Sequence, residues 1–233
     1  MRRSVYAIAI AAILAVAGVA SVDTSSADAH GPGHCKVSHG VSHKRDVITG
    51  TAGADTIDCS RAKRPHSIYG MGGDDTIIGG LADDFIYAGD GDDWADAGPG
   101  ADYVDGGIGD DTLFGGDGDD SILGGAGDDA IYTGPGANFG SGGLGDDLVV
   151  GSDGTDFLIG GQGADILEGH EGDDVLVADD REAPDFPDTV DGGEGPLVDD
   201  FDDCYGNPQS GTFVDVVDVL LNCERTDEVL SPA

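Results

Sequence analysis

The chain has 233 residues, of which 42 are glycine, 47 are aspartate or glutamate and only 10 are lysine or arginine, giving a formal net charge of −37. High net charge with few aromatics ordinarily marks disorder, glycine disfavours helix and strand interiors, and no nucleic-acid partner is expected. Only a periodic pattern can overturn the expectation of disorder.

In chain order, Arg2 and Arg3 precede the apolar run Val5 to Ala20. A basic start, an apolar middle and small residues at the exit predict a secretory signal peptide over 1–29, with cleavage after Ala20 or Ala29. The run of 16 residues is short of the ~20 that a spanning helix needs. No other segment could span a bilayer, so a secreted, extracellular chain without a transmembrane segment is expected once the signal is removed. Export suits the four cysteines, Cys35, Cys59, Cys204 and Cys223. Of three connectivities, the local one is expected: Cys35 with Cys59 and Cys204 with Cys223.

Residues 30–69 hold Lys36, Lys44, Arg45, Arg61, Lys63 and Arg64 against Asp46, Asp55 and Asp58. This predicts a basic N-terminal cap with one isolated nine-residue unit, "GTAGADTID", beginning at Gly50. It either sits on the acidic remainder or touches an anionic cell envelope. His30, His34, His39 and His43 cluster here as a polar leader or a zinc or copper site.

From Gly70 the chain aligns in nines, without a gap, to Val177. Position four is glycine in eleven of twelve units, with Ala82 the exception, and position six is aspartate in eleven, with Asn138 the exception. Position eight is Ile, Val or Leu in ten; Ala95 and Gly140 depart. Three columns held over 108 residues predict a stacked solenoid rather than one closed core. Glycines at positions one, two and four make the first six residues a tight turn. The β-formers at seven to nine make a short strand whose alternation sends position eight one way and its neighbours the other. Two units close one coil of eighteen residues, and stacked coils make two parallel sheets with position eight between them.

This pattern resembles the repeats-in-toxin, or hemolysin-type, calcium-binding repeats. The resemblance implies an all-β fold: a parallel β-roll, or β-solenoid, of nine-residue glycine/aspartate repeats over 70–177, between small disulfide-stapled terminal caps. It also implies calcium ions between neighbouring turns, held by backbone carbonyls of the glycine-rich turn and by position-six carboxylates. In this chain those are Asp75, Asp84, Asp93, Asp102, Asp111, Asp120, Asp129, Asp147, Asp156, Asp165 and Asp174.

The charge map agrees. Residues 70–177 contain 26 acidic residues and no lysine or arginine, which calls for hard cations with oxygen ligands. Turns on one side are eighteen residues apart, so each ion bridges a unit and the next but one. Up to about ten ions are expected, with the pairs that include Asn138 weaker or empty. Folding and calcium binding are expected to be one event. The position-five aspartates Asp74, Asp83, Asp92, Asp110, Asp119, Asp128, Asp146 and Asp173 either support the ligands or form a solvated acidic rim.

After the roll, 178–233 read as an acidic C-terminal cap stapled by Cys204 and Cys223. It holds a decayed unit from Asp188 and a strand within "TFVDVVDVLLNCE" from Thr212. On the roll, position seven of alternate units reads Phe85, Tyr103, Ser121, Phe139, Phe157 and Val175. This column is either an exposed partner surface or the seat of a cap or loop. There is no HExxH and no GxSxG, so no enzyme is expected. The expected function is a secreted, non-catalytic calcium-binding protein. The alternatives are a calcium-dependent adhesin or matrix-binding module that uses the aromatic column on a cell-envelope or extracellular-matrix component, and a small secreted hydrolase of unrecognised type.

Overall fold

The computed structural model describes residues 35–38, 40–178, 189–192, 203–205, 219–221 and 225–226. The signal segment, His30, His34 and His39, and the pairing of Cys204 with Cys223 lie outside what is described. No helix among the described residues is long and apolar enough to cross a membrane.

The described strands alternate between two sheets. The ten-stranded sheet runs from Lys36–Val37 to Val219–Leu221, and the eleven-stranded sheet from Ser42–Lys44 to Arg225–Thr226. From Val47 onward every pairing within the sheets is parallel. Register repeats at eighteen residues through the roll: Thr112 lies beside Ala130 and Trp94, and Ser121 beside Phe139 and Tyr103. The fold is the parallel β-solenoid that the nine-residue period predicts.

Position eight fills the interior as expected. Ile77, Ile86, Val104, Leu113, Ile122, Ile131, Val149, Leu158, Leu167 and Leu176 are fully buried. Gly140 leaves a gap that its neighbours close, since an added Cβ would meet Val149, Leu158 and the Thr133 methyl at 3.0–3.2 Å. Position one also faces inward, two residues on from position eight along the same strand. Ala88, Ala97 and Thr133 there are fully buried. The core is therefore one aliphatic side chain and one very small residue per unit.

The two sheets differ in one respect that the nine-residue frame does not predict. Strands of the ten-stranded sheet within the roll have three residues, as in Thr112–Phe114, whereas those of the other sheet have six, as in Tyr103–Ile108, until the last, Val175–Val177, which has three. In the longer strands positions one to three of the next unit continue the ladder, pairing Gly89 with Gly107 and Asp90 with Ile108. Turns on the opposite flank carry Pro99 and Pro135 at position three, which have no N–H to donate to a ladder.

The segment before Gly70 joins the same sheets. Val47–Thr49 pairs with Ser67–Tyr69, and Thr56–Asp58 with Thr76–Ile78. Lys36–Val37 closes one edge antiparallel to Ile57–Asp58, where the Cys35–Cys59 disulfide forms as expected and Lys36 Nζ lies 3.0 Å from Asp58 Oδ2. Beyond the roll, Thr189–Asp191 continues the ten-stranded sheet with Val190 buried.

Candidate metal centre

The position-six side chains are buried beneath the turns and form two columns, one along each flank. The first flank carries Asp55, Asp75, Asp93, Asp111, Asp129, Asp147 and Asp165. The second carries His66, Asp84, Asp102, Asp120, Asn138, Asp156 and Asp174. All are 6 % exposed or less.

One oxygen of each carboxylate has a structural task. From Asp75 to Asp156, the N–H of each position-six residue donates to Oδ1 of the position-six residue one coil further on. On the first flank Asp75 donates to Asp93 at 2.7 Å, and Asp93 to Asp111, Asp111 to Asp129 and Asp129 to Asp147, each at 2.8 Å. On the second, Asp84 donates to Asp102 at 2.6 Å and Asp102 to Asp120 at 2.8 Å. The column extends back to Asp55, whose N–H meets Asp75 Oδ1 at 2.7 Å, and to His66, whose N–H meets Asp84 Oδ1 at 2.6 Å. Strand hydrogen bonds and these side-chain bonds thus share the work of fixing the coil spacing.

The second oxygen has no such task. Oδ2 of Asp75, Asp93, Asp102, Asp111, Asp120, Asp129 and Asp147 is buried and has no hydrogen-bond donor. Removing a carboxylate from water without a donor or counter-charge is costly. Burial pushes these carboxyls up, against the pull of the coil-to-coil N–H bond and with repulsion from neighbouring aspartates. Asp111 and Asp147 rise to about 8, Asp75 and Asp102 to about 7, and Asp93, Asp120 and Asp129 to about 6.

Position one leaves room for that bare oxygen. A Cβ on Gly115 would stand 2.6 Å from Asp120 Oδ2, and one on Gly106, Gly124 or Gly142 would collide with the carboxylate of its own unit. Among the described residues no three His, Cys, Asp or Glu side chains converge on one point. Each turn with a bare Oδ2 therefore offers one carboxylate oxygen close to backbone carbonyls, a donor set of hard oxygens that suits calcium and not a nitrogen- and sulfur-seeking metal such as zinc. The bare oxygens fit a divalent hard cation.

The position-five aspartates form a second ladder, which the sequence did not reveal. Here the later coil donates to the earlier one. Asp110 N–H meets Asp92 Oδ1 at 3.1 Å, Asp128 meets Asp110 at 2.9 Å, Asp146 meets Asp128 at 2.9 Å, and Ala101 meets Asp83 at 3.1 Å. These side chains are exposed, so they keep their hydration while clamping adjacent turns from outside.

The aromatic column stands in register as expected, with Phe85, Tyr103, Ser121, Phe139, Phe157 and Val175 side by side. Phe85 is 51 % exposed. Phe139 and Phe157 stack at 5.9 Å, and a neighbouring pair, Tyr69 and Tyr87, stacks at 5.1 Å.

Comparison with known proteins agrees with this geometry. The model of the RTX calcium-binding nonapeptide repeat matches in four copies, at residues 44–58, 69–104, 105–140 and 141–177. No curated protein and no solved structure matches the chain. The four copies take in more than half of the chain, including "GTAGADTID" before the continuous run, and the chain belongs to the RTX calcium-binding nonapeptide repeat family.

Proposed function

We propose that the protein is a secreted, non-catalytic calcium-binding protein whose roll folds as it takes up calcium between its turns. The observation that carries this is the set of buried carboxylate oxygens without a donor, in a stretch that contains no lysine or arginine. Calcium would be held by carbonyls of the turns and by ligands drawn from the eleven position-six aspartates, Asp75 to Asp174. It would supply the charge that the sequence withholds. The leader over 1–29 would deliver the chain to an extracellular medium, where sites with Kd of about 10⁻⁴ to 10⁻³ M suffice. The basic segment 30–69 and the acidic segment 178–233 would cap the roll. Calorimetric titration of the demetallated full chain tests the binding. Saturable heat with calcium, and much weaker heat with magnesium at the same concentration, is expected. Absence of saturable calcium heat would refute it.

A second reading, a calcium-dependent adhesin, is favoured by the stacked rings along one sheet. Aromatic faces of this kind bind partners of mixed polarity. If they do so here, the chain sediments with cell-wall material in calcium and stays soluble in chelator. Equal recovery in both conditions rules that use out.

A further inference from the structure

The two flanks present the same nine-letter frame but do not treat their carboxylates alike. On the first flank position two has positive φ in every turn from Met71 onward: Met71 at 87°, Gly89 at 128°, Gly107 at 113°, Gly125 at 123°, Gly143 at 125° and Gly161 at 123°. Met71 adopts it although its Cβ disfavours that conformation, so the turn demands it even without glycine. In these turns the position-two N–H does not reach the carboxylate, and Oδ2 of Asp75, Asp93, Asp111, Asp129 and Asp147 stays bare.

Three turns are built the other way. Thr51, Gly80 and Ser152 hold position two without positive φ. In each, the position-two N–H donates to Oδ2 of its own unit's aspartate: Thr51 to Asp55 at 2.6 Å, Gly80 to Asp84 at 2.6 Å and Ser152 to Asp156 at 3.0 Å. The donor satisfies the oxygen that elsewhere is left for a cation. Two of these turns lie on the second flank, which carries two further substitutions. Asn138 places an amide in the column, and its Nδ2 donates to the Gly134 carbonyl at 2.7 Å and to Thr133 Oγ1 at 3.3 Å. His66 replaces the carboxylate with a buried imidazole, its Nδ1 3.7 Å from Asp84 Oδ1.

We propose that calcium forms an unbroken column on the first flank, from Asp75 to Asp165, and on the second flank occupies only the interval between Asp102 and Asp120. Each other rung of the second flank includes Asp84, Asn138 or Asp156, where an N–H donor or an amide NH₂ already occupies the place of a cation, and stands without metal. This rests on the calcium reading above and narrows it. Five intervals on the first flank and one on the second give about six ions, not the about ten that the repeat count alone implies. A cation entering at Asp84 or Asp156 competes for an oxygen that already accepts an N–H, whose partial positive charge opposes it. At Asn138 it meets an NH₂ group and no charge.

Asparagine is the discriminating substitution, because Asn138 already accepts the coil-to-coil bond, from Asp120 N–H at 2.8 Å, and so keeps the ladder intact. The experiment counts bound calcium by equilibrium dialysis on the full chain and on Asp84→Asn, Asp156→Asn, Asp111→Asn and Asn138→Asp. The proposal expects about six ions in the parent, the same count in Asp84→Asn and Asp156→Asn, and a loss of about two in Asp111→Asn. It expects a gain of about one in Asn138→Asp, where Asp120 acquires a charged neighbour. A parent count near ten, or loss of ions from Asp84→Asn or Asp156→Asn, overturns the asymmetry and leaves calcium binding standing. A parent that binds no calcium overturns both.

Discussion

In excess chelator at pH 7.5 the chain is expected to lose most of its strand signal in far-ultraviolet circular dichroism, and millimolar calcium is expected to restore it. The fold gives three reasons. Its interior holds one aliphatic side chain per nine residues, with position one limited to glycine, alanine or threonine through the roll. Such a thin core does not balance the cost of ordering the backbone, about 1–2 kcal/mol per residue. Residues 70–177 carry 26 acids and no lysine or arginine, so at neutral pH the coils repel along their whole length. The carboxylates that set the coil spacing also bury an oxygen with no donor. A ligand that binds only the folded roll reverses this by mass action: a site at 100 times its Kd contributes about 2.7 kcal/mol. An unchanged strand signal in chelator would show that the hydrogen-bond ladders and the core suffice, and would remove the link between folding and metal.

The loss should not be uniform along the chain. The N-terminal end has a disulfide between Cys35 and Cys59, an ion pair between Lys36 and Asp58, and two self-capped turns at Asp55 and Asp84. None of these needs calcium. The first flank beyond Asp75 has no such substitute, and strand structure there depends most on the ion.

Much of this was legible in the letters. The gap-free nines gave the coil, position eight the core, and position six the buried column, because each is a side-chain property repeated at fixed spacing. The break at Asn138 was legible in the same way, but the self-capped turns were not. Gly79-Gly80 and Gly106-Gly107 read alike, yet Gly107 has a φ of 113° and Gly80 does not take positive φ. Glycine permits both conformations, so the residue chosen to allow the turn hides which turn is made. The outer ladder of position-five aspartates was missed for a related reason. An Asp-Asp pair announces charge, but not that one carboxylate bonds the next coil and its neighbour the previous one. The unit at Gly50 looked isolated because "SRAKRP" intervenes. Its Asp55 nevertheless joins the column by a twenty-residue step to Asp75 instead of eighteen, the extra length passing through the turn before His66.

Acidification should act in opposite directions with and without calcium. The buried carboxyls rise from an ordinary 3.8 to between about 6 for Asp93 and about 8 for Asp111 and Asp147, chiefly through burial. A carboxyl whose folded pKa exceeds its unfolded one binds more protons when folded, so lowering the pH favours the fold. The metal-free roll is therefore most stable below about pH 4. It loses that stability as the pH climbs from about 4 to about 8, and lacks it above. A proton on a bare Oδ2 does part of what calcium would do there. For the same reason protons compete with calcium, and the calcium concentration at half-saturation should rise by about tenfold or more between pH 8 and pH 5. Circular dichroism from pH 4 to pH 8, in chelator and across a calcium series, reads both effects. Strand signal in chelator should grow on acidification, while the calcium midpoint moves upward. General charge repulsion predicts a similar acid response, but 1 M sodium chloride screens it at pH 8, whereas buried oxygens are little affected by salt. Recovery of the strand signal with salt alone at pH 8 would assign the instability to the exposed acids and not to the position-six column.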